Sequence, residues 1–342
     1  RADKVTDSIL KNLKRAGYSF LGWAFEENET DSDNIHAAGK VVQSSEEPNS
    51  LFSQIANHDV MYAIWQADPY TVTYSAGDVE GVTLPSPASF SYTFESTEVL
   101  SNNVSRVGYT FTGWKPTADV GPLSSGGYAW DMDTVYKAST SVLGKYGNVT
   151  LVAQWTNNTY TVTFNGNGAS SGEMDPQEFA YDVSQALSSN EFERNGYTFL
   201  GWSRESGAST PTYTDGQEVE NLSSSVNGQV ELFAVWKANV YAVTLNTNYS
   251  SLINNGGSPT LSTPTTVYVV YDSNVIYSSR TGSSQSDYAV SDVVTPVVSN
   301  LTGYTFRGWA LDGQLITNNL GSLTAVWNRY DASSYTLTAQ YD

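Results

Sequence analysis

The chain has 342 residues, no cysteine and a formal net charge of −19. Without cysteine there are no disulfides, thiolate metal sites or cysteine nucleophiles, and the acidic balance argues against nucleic acid, whose phosphates would be repelled. No run approaches the roughly 18 apolar residues of a membrane span, and 23 Tyr, 12 Phe and 9 Trp point to small cores built on aromatic rings.

In chain order, TDSILKNLKRAG (6–17) predicts a helix: Ile9, Leu10 and Leu13 share a face, Asp7 caps it and Gly17 ends it. It lies in a basic stretch where Arg1, Lys4, Lys11, Lys14 and Arg15 outnumber Asp3 and Asp7. GYSFLGW follows at 17–23 and recurs as GYTFTGW (108–114), GYTFLGW (196–202) and GYTFRGW (303–309). Recurrence at a near-fixed period marks a repeated structural unit. A strand of alternating apolar residues closes each unit: VMYAIW to Trp65, VTLVAQW to Trp155, VELFAVW to Trp236 and SLTAVW to Trp327. A third landmark opens the next: YTVTYSAGD from Tyr70, YTVTFNGNG from Tyr160, YAVTLNTNY from Tyr241 and YTLTAQYD from Tyr335. NGNG (165–168) is a hairpin-turn signal. SQALSSNEFERNG (184–196) repeats the helical layout of the first segment, so the first Gly of the box reads as a helix C-cap. The second Gly, beside Trp, reads as close packing or a bulge.

The unit is therefore strand, strand, helix, box strand, variable hairpin, closing strand. That predicts an α+β, β-rich module with one helix on a small mixed sheet. Four are expected in tandem, at 1–67, 68–157, 158–238 and 239–328, the last with an insertion in its front half. Trp23, Trp65, Trp114, Trp155, Trp202, Trp236, Trp309 and Trp327 are the expected structural core.

The YTVTFNGNG strand, the GYTFLGW box and the LFAVW closing strand resemble the Listeria–Bacteroides repeat of surface proteins, related to the internalin B-repeats. The resemblance covers almost the whole chain, and is closest at 70–155 and 160–236. It implies a β-grasp, ubiquitin-like module displayed in tandem on microbial exteriors, with no catalytic residues to carry over.

The residues themselves offer little chemistry. His36 and His58 stand in no catalytic motif. Asp31, Asp33 and Asn34 could offer oxygens to Ca²⁺, but without ordered spacing a solvated loop is the better reading, and the same holds for Asp131 and Asp133. Tyr128 and Trp130 either stack on sugar rings or close local cores, with the second favoured. Sequons at Asn28, Asn103, Asn148, Asn157, Asn221, Asn248 and Asn300 leave glycosylation open. No enzyme activity, cofactor or metal is expected.

The ends suggest an assembly. The first unit lacks a front strand, while Tyr335–Asp342 spells one to spare. On that reading, 329–342 is a strand donated to the next copy, with Tyr335, Leu337, Ala339 and Tyr341 meeting Ile9 and Leu13 of the acceptor. In the alternative register, LTAQY (337–341) matches LVAQW, and Tyr341 closes the fourth unit. Box-to-closure spacings of 42, 41 and 34 residues compare with 18 to Trp327 or 32 to Tyr341. The sequence thus predicts an extracellular, cell-surface structural protein that forms a head-to-tail filament. The alternatives are a processed piece of an adhesin stalk and a glycan-binding module. Its expected partners are copies of itself, with host or neighbour-cell surface glycans or proteins as further candidates.

Overall fold

Alternation of β-branched and aromatic residues sets the strands. In the third module Tyr160, Val162 and Phe164 turn into the core while Thr161 and Thr163 face the other way. The computed structural model describes residues 13–37, 60–117, 130–248, 259–273, 275–299, 305–316 and 334–341. The chain divides into two units, Arg1–Asn158 and Thr159–Asp342.

Three modules share one sheet plan, in the order second, front, closing, box. In the second module these strands are Ser89–Tyr92, Tyr70–Ser75, Val149–Asn157 and Tyr109–Thr117. In the third they are Gln177–Ala180, Thr159–Asn165, Gly228–Ala238 and Tyr197–Ser203. Front and closing strands run parallel; the other neighbours are antiparallel. In the first module the described residues pair box strand Tyr18–Ala24 with closing strand Tyr62–Ala67.

The fourth module keeps the plan with Thr266–Val270, Val240–Asn246, Ser334–Tyr341 and Phe306–Leu311. The sheet has seven strands: the insertion adds the hairpin Ile276–Thr281 and Ala289–Val293 at one edge, and Gln314–Ile316, which follows the box strand, pairs with it at the other.

Two sequence expectations are overturned. The modules are not α+β β-grasp units with a helix on the sheet, since among the described residues the only helical element is the 3-10 turn Ser32–Asn34. Residues 6–12 of the first helical candidate lie outside the described residues, and Arg15 already bridges to Tyr18. At 184–196 the chain is extended, with Gln185–Ala186 paired to Glu218–Val219. The reason is local: Ser and Asn offer the backbone partners that compete with a helix. Asn190 accepts the Phe192 N–H at 3.0 Å, its own N–H donates to Asp215 at 2.8 Å, and the Ser188 N–H donates to Gln177 at 2.8 Å. Leu187 and Phe192 reach the core from this irregular path.

The second correction concerns the end of the chain. Ser334–Tyr341 is not spare. It lies between Val240–Asn246 and Phe306–Leu311 inside its own module, with Tyr335, Leu337 and Ala339 buried there. The sheet of the fourth module therefore includes Ser334–Tyr341. Trp327 and Ile9 lie outside the described residues, and Leu13 is 39% exposed.

Candidate functional site: aromatic locks and inter-module joints

Each box carries the same three-ring lock. The box Phe stands opposite the closing aromatic: Phe20 with Trp65, Phe111 with Trp155, Phe199 with Trp236 and Phe306 with Tyr341. It also meets the box Trp edge-on at 5.0–5.6 Å between centroids. Trp114, Trp202 and Trp309 are buried, whereas Trp23, Trp65, Trp155 and Trp236 are half-buried. One residue bulges between the box Phe and the second Gly in every box. That Gly allows a return strand to lie against the box. A Cβ on Gly113, at φ +147°, would stand 2.6 Å from the Tyr136 carbonyl, and Trp114 exchanges both backbone hydrogen bonds with Tyr136.

The first Gly is not a helix cap. It occupies a β-turn in which the Tyr N–H reaches back to the Arg carbonyl, Tyr18 to Arg15 and Tyr197 to Arg194, with φ near +75°. The turn folds each guanidinium over its Tyr ring, at 3.7 Å for Arg15, 3.6 Å for Arg106 and 3.9 Å for Arg194. The motif Arg-x-Gly-Tyr stands in the sequence as RAGY, RVGY and RNGY, but the stacking of Arg on Tyr depends on the turn between them.

These turns build the joints. In the first unit, Tyr18 packs on Phe94 of the second module at 5.8 Å and donates its hydroxyl to Glu95; that bond raises its pKa. In the second unit, Tyr197 packs on Tyr271 of the fourth module at 5.4 Å, and a Cβ on Gly196 would run into the same ring. Just after each closing strand a polar residue staples the box. Asp68, Asn158 and Asn239 donate their N–H to the carbonyls of Gly17, Gly108 and Gly196 at 2.8–2.9 Å. Their side chains accept the hydroxyls of Ser19, Thr110 and Thr198 at 2.5–2.6 Å. The insertion of the fourth module reinforces the joint to the third. Gln285 holds both backbone groups of Val240, at 2.7 and 2.8 Å, and Tyr288 donates to the Ala238 carbonyl beneath the Lys237 ammonium.

The remaining candidates close on themselves. Trp130 is buried, donates to the Tyr92 hydroxyl at 2.9 Å and meets Tyr136 edge-on. Tyr128 lies outside the described residues. Asp31 and Asp131 cap the turns that follow them, accepting from Asp33 and Asp133 N–H, and Thr134 holds the Asp131 carboxyl below its usual range. Glu29 gathers the N–H groups of Thr30 and Asp31 and the amide of Asn34. His36 returns against Trp23 through its backbone, while His58 lies outside the described residues. Among the described residues no three His, Asp or Glu side chains converge as a metal cluster. Among them, too, no helix is long and apolar enough to cross a membrane.

Residues 70–154 and 160–235 match the model of the Listeria-Bacteroides repeat domain as two tandem copies. They correspond to the second and third modules. The chain is also similar to a protein of Evansella cellulosilytica whose name describes it as a Gly-rich membrane protein. The two are 26% identical over 301 residues, covering 88% of this chain and 28% of that protein. A second protein of the same organism, named as a membrane protein, is 28% identical over 249 residues, covering 72% of this chain and 31% of its own length. The chain thus spans less than a third of the length of either relative.

Proposed function

We propose that this chain is a non-enzymatic, surface-displayed repeat region whose work is structural: it spaces or carries other parts of a cell-surface protein. The observation that carries this reading is the repeated joint. Chemistry that recurs in this chain is spent on holding module to module, through Arg on Tyr, Tyr on the neighbouring ring, and Asp or Asn on the box Gly. Both Evansella relatives, named as membrane proteins, are more than three times as long as the stretch they share with this chain, which suits a region within a larger surface protein. Ser334–Tyr341 is engaged in its own module, so polymerisation by donation of that strand has no part in the reading.

Antibodies raised against residues 159–238 test the display. Labelling of intact producing cells, removed by brief external protease, is the expected result. Labelling that appears only after permeabilisation would refute it.

A further inference from the structure

In each complete module the chain enters at the start of the front strand and leaves at the end of the closing strand. These two strands are parallel neighbours. A pull on the chain therefore drags them past one another along their length, loading every hydrogen bond of the ladder together. An antiparallel pair would place entry and exit at one end, and the same pull would open its bonds one at a time. We propose that the modules are load-bearing shear clamps, and that an asparagine after the front strand is the latch that grades their strength.

The latch is visible in two modules and missing from another. In the third, Asn165 accepts the Asn167 N–H at 2.9 Å, and Asn167 takes up φ +46°. This turn aims the Asn167 amide at the closing strand, where it donates to the Ala234 carbonyl at 2.8 Å. Beside it, Trp236 Nε1 donates to the Gly166 carbonyl at 2.9 Å. Both bonds tie the strands together beyond the last ladder pair, Phe233 with Asn165. The fourth module repeats the device: Asn246 turns Asn248, which donates to the Ala339 carbonyl at 3.3 Å. In the second module Ser75 makes the same turn, but Gly77 stands at the latch position. A Cβ there would meet Val152, the residue before Ala153, so the position faces the equivalent stretch of closing strand. Trp155 Nε1, the counterpart of Trp236, is buried and finds no acceptor among the described residues.

Ladder length follows the same ranking. Parallel pairing runs from Tyr160 to Asn165 in the third module, but only from Val72 to Ser75 in the second.

The chain has no cysteine, so introduced cysteines are unique handles for single-molecule force measurements on the full chain. Handles at Thr159→Cys and Ala238→Cys load the third module in shear. Handles at Thr161→Cys and Gln229→Cys, which are ladder partners, peel it open. The shear pair is expected to need at least about twice the force of the peeling pair, because forced rupture follows the barrier to unfolding along the pulled direction. Asn167→Gly should lower the shear force and leave the peeling force unchanged. Gly77→Asn, with handles at Pro69→Cys and Thr156→Cys, should raise the shear force of the second module, and this gain does not depend on a weakened variant folding. Equal forces in the two directions would overturn the clamp. Shear forces unmoved by Asn167→Gly and by Gly77→Asn would overturn the latch. The proposal rests on the structural reading above, yet force on the purified chain and labelling of cells fail separately.

Discussion

The ring of Tyr341 stands 6.2 Å from that of Phe306, in the place that Trp155 and Trp236 hold against Phe111 and Phe199. The contact identifies the last strand as a closing strand. Tyr341 also donates its hydroxyl to the Thr247 carbonyl. Tyr341→Ala is expected to destabilise the fourth module by about 2 kcal/mol, below the usual cost of truncating a buried aromatic because the ring is half-buried. Tyr341→Trp should be tolerated. Urea denaturation of the two variants checks the ranking, and an equal loss in both would contradict it.

The second box Gly gives a sharper contrast. At Gly113 a methyl group meets the Tyr136 carbonyl and the Val135 side chain, and Tyr136 is held by bridge pairing with Trp114. Gly113→Ala should cost upwards of about 2 kcal/mol, in the range of mutations that strain a special backbone position. Gly207 has open space around it, so Gly207→Ala should lie within about 0.5 kcal/mol of the parent. Thermal midpoints of the two variants decide the matter.

Trp114 and Trp202 occupy equivalent buried places but differ in one bond. Trp114 Nε1 donates to the Ser101 carbonyl at 2.8 Å, whereas Trp202 Nε1 has no acceptor among the described residues. Trp202→Ala should cost about 3–5 kcal/mol, as for other large buried aromatics. Changing each Trp to Phe separates packing from hydrogen bonding. Trp114→Phe should cost about 1 kcal/mol more than Trp202→Phe, the net worth of a hydrogen bond. A reversed order in chemical denaturation would show that cavity shape dominates instead.

The landmarks legible in the sequence were those that depend on side-chain periodicity. Tyr160, Val162 and Phe164 announce a strand because alternation is a direct readout of burial. The expectation of a helix at 184–196 rests on its likeness to 6–17 and on the Gly that ends it, features that an irregular chain carries equally well. The Asn190 and Gln177 hydrogen bonds that decide between them require knowledge of the fold. The register of Ser334–Tyr341 was ambiguous for a related reason: YTLT matches a front strand, while LTAQY matches a closing strand. The Phe306 pairing resolves it. The joints depend on Arg-x-Gly-Tyr and on the residue after each closing strand, both present in the sequence. Their meaning needs the neighbouring module, where Phe94 and Tyr271 stand.

Buried tyrosines set the alkaline limit. Tyr92 donates to the Gly147 carbonyl at 2.5 Å, and burial pushes its pKa up to about 12 from an ordinary 10.0. Burial and then the Asp68 carboxylate push Tyr70 to about 12 as well. Burial likewise raises Tyr74, Tyr160 and Tyr241. The unfolded chain loses these protons first, so it binds fewer protons than the folded chain between about pH 10 and 12, and stability falls with rising pH across that window. Below about pH 10 the contribution is fully present and flat; above about 12 it is gone. Denaturation midpoints followed alongside phenolate absorbance should decline together. A midpoint that stays level through this window would contradict the burial of these hydroxyls.

Removal of residues 334–342 separates the two registers most directly. Ser334–Tyr341 supplies the parallel partner of Val240–Asn246 and the antiparallel partner of Phe306–Leu311, and Leu337 and Ala339 are fully buried between them. Without it, two strands present unpaired edges, and Val243, Leu245 and Trp309 lose the strand that covers them. The fourth module should then lose its cooperative transition while the second and third retain theirs. The truncated chain should also associate more readily than the parent, because an exposed apolar edge invites pairing with another copy. Strand donation demands the reverse, with the parent polymeric and the truncation monomeric. Light scattering behind a sizing column reads both species under one condition. A monomeric parent beside an association-prone truncation is the expected outcome, and a polymeric parent dissolved by the truncation would restore donation.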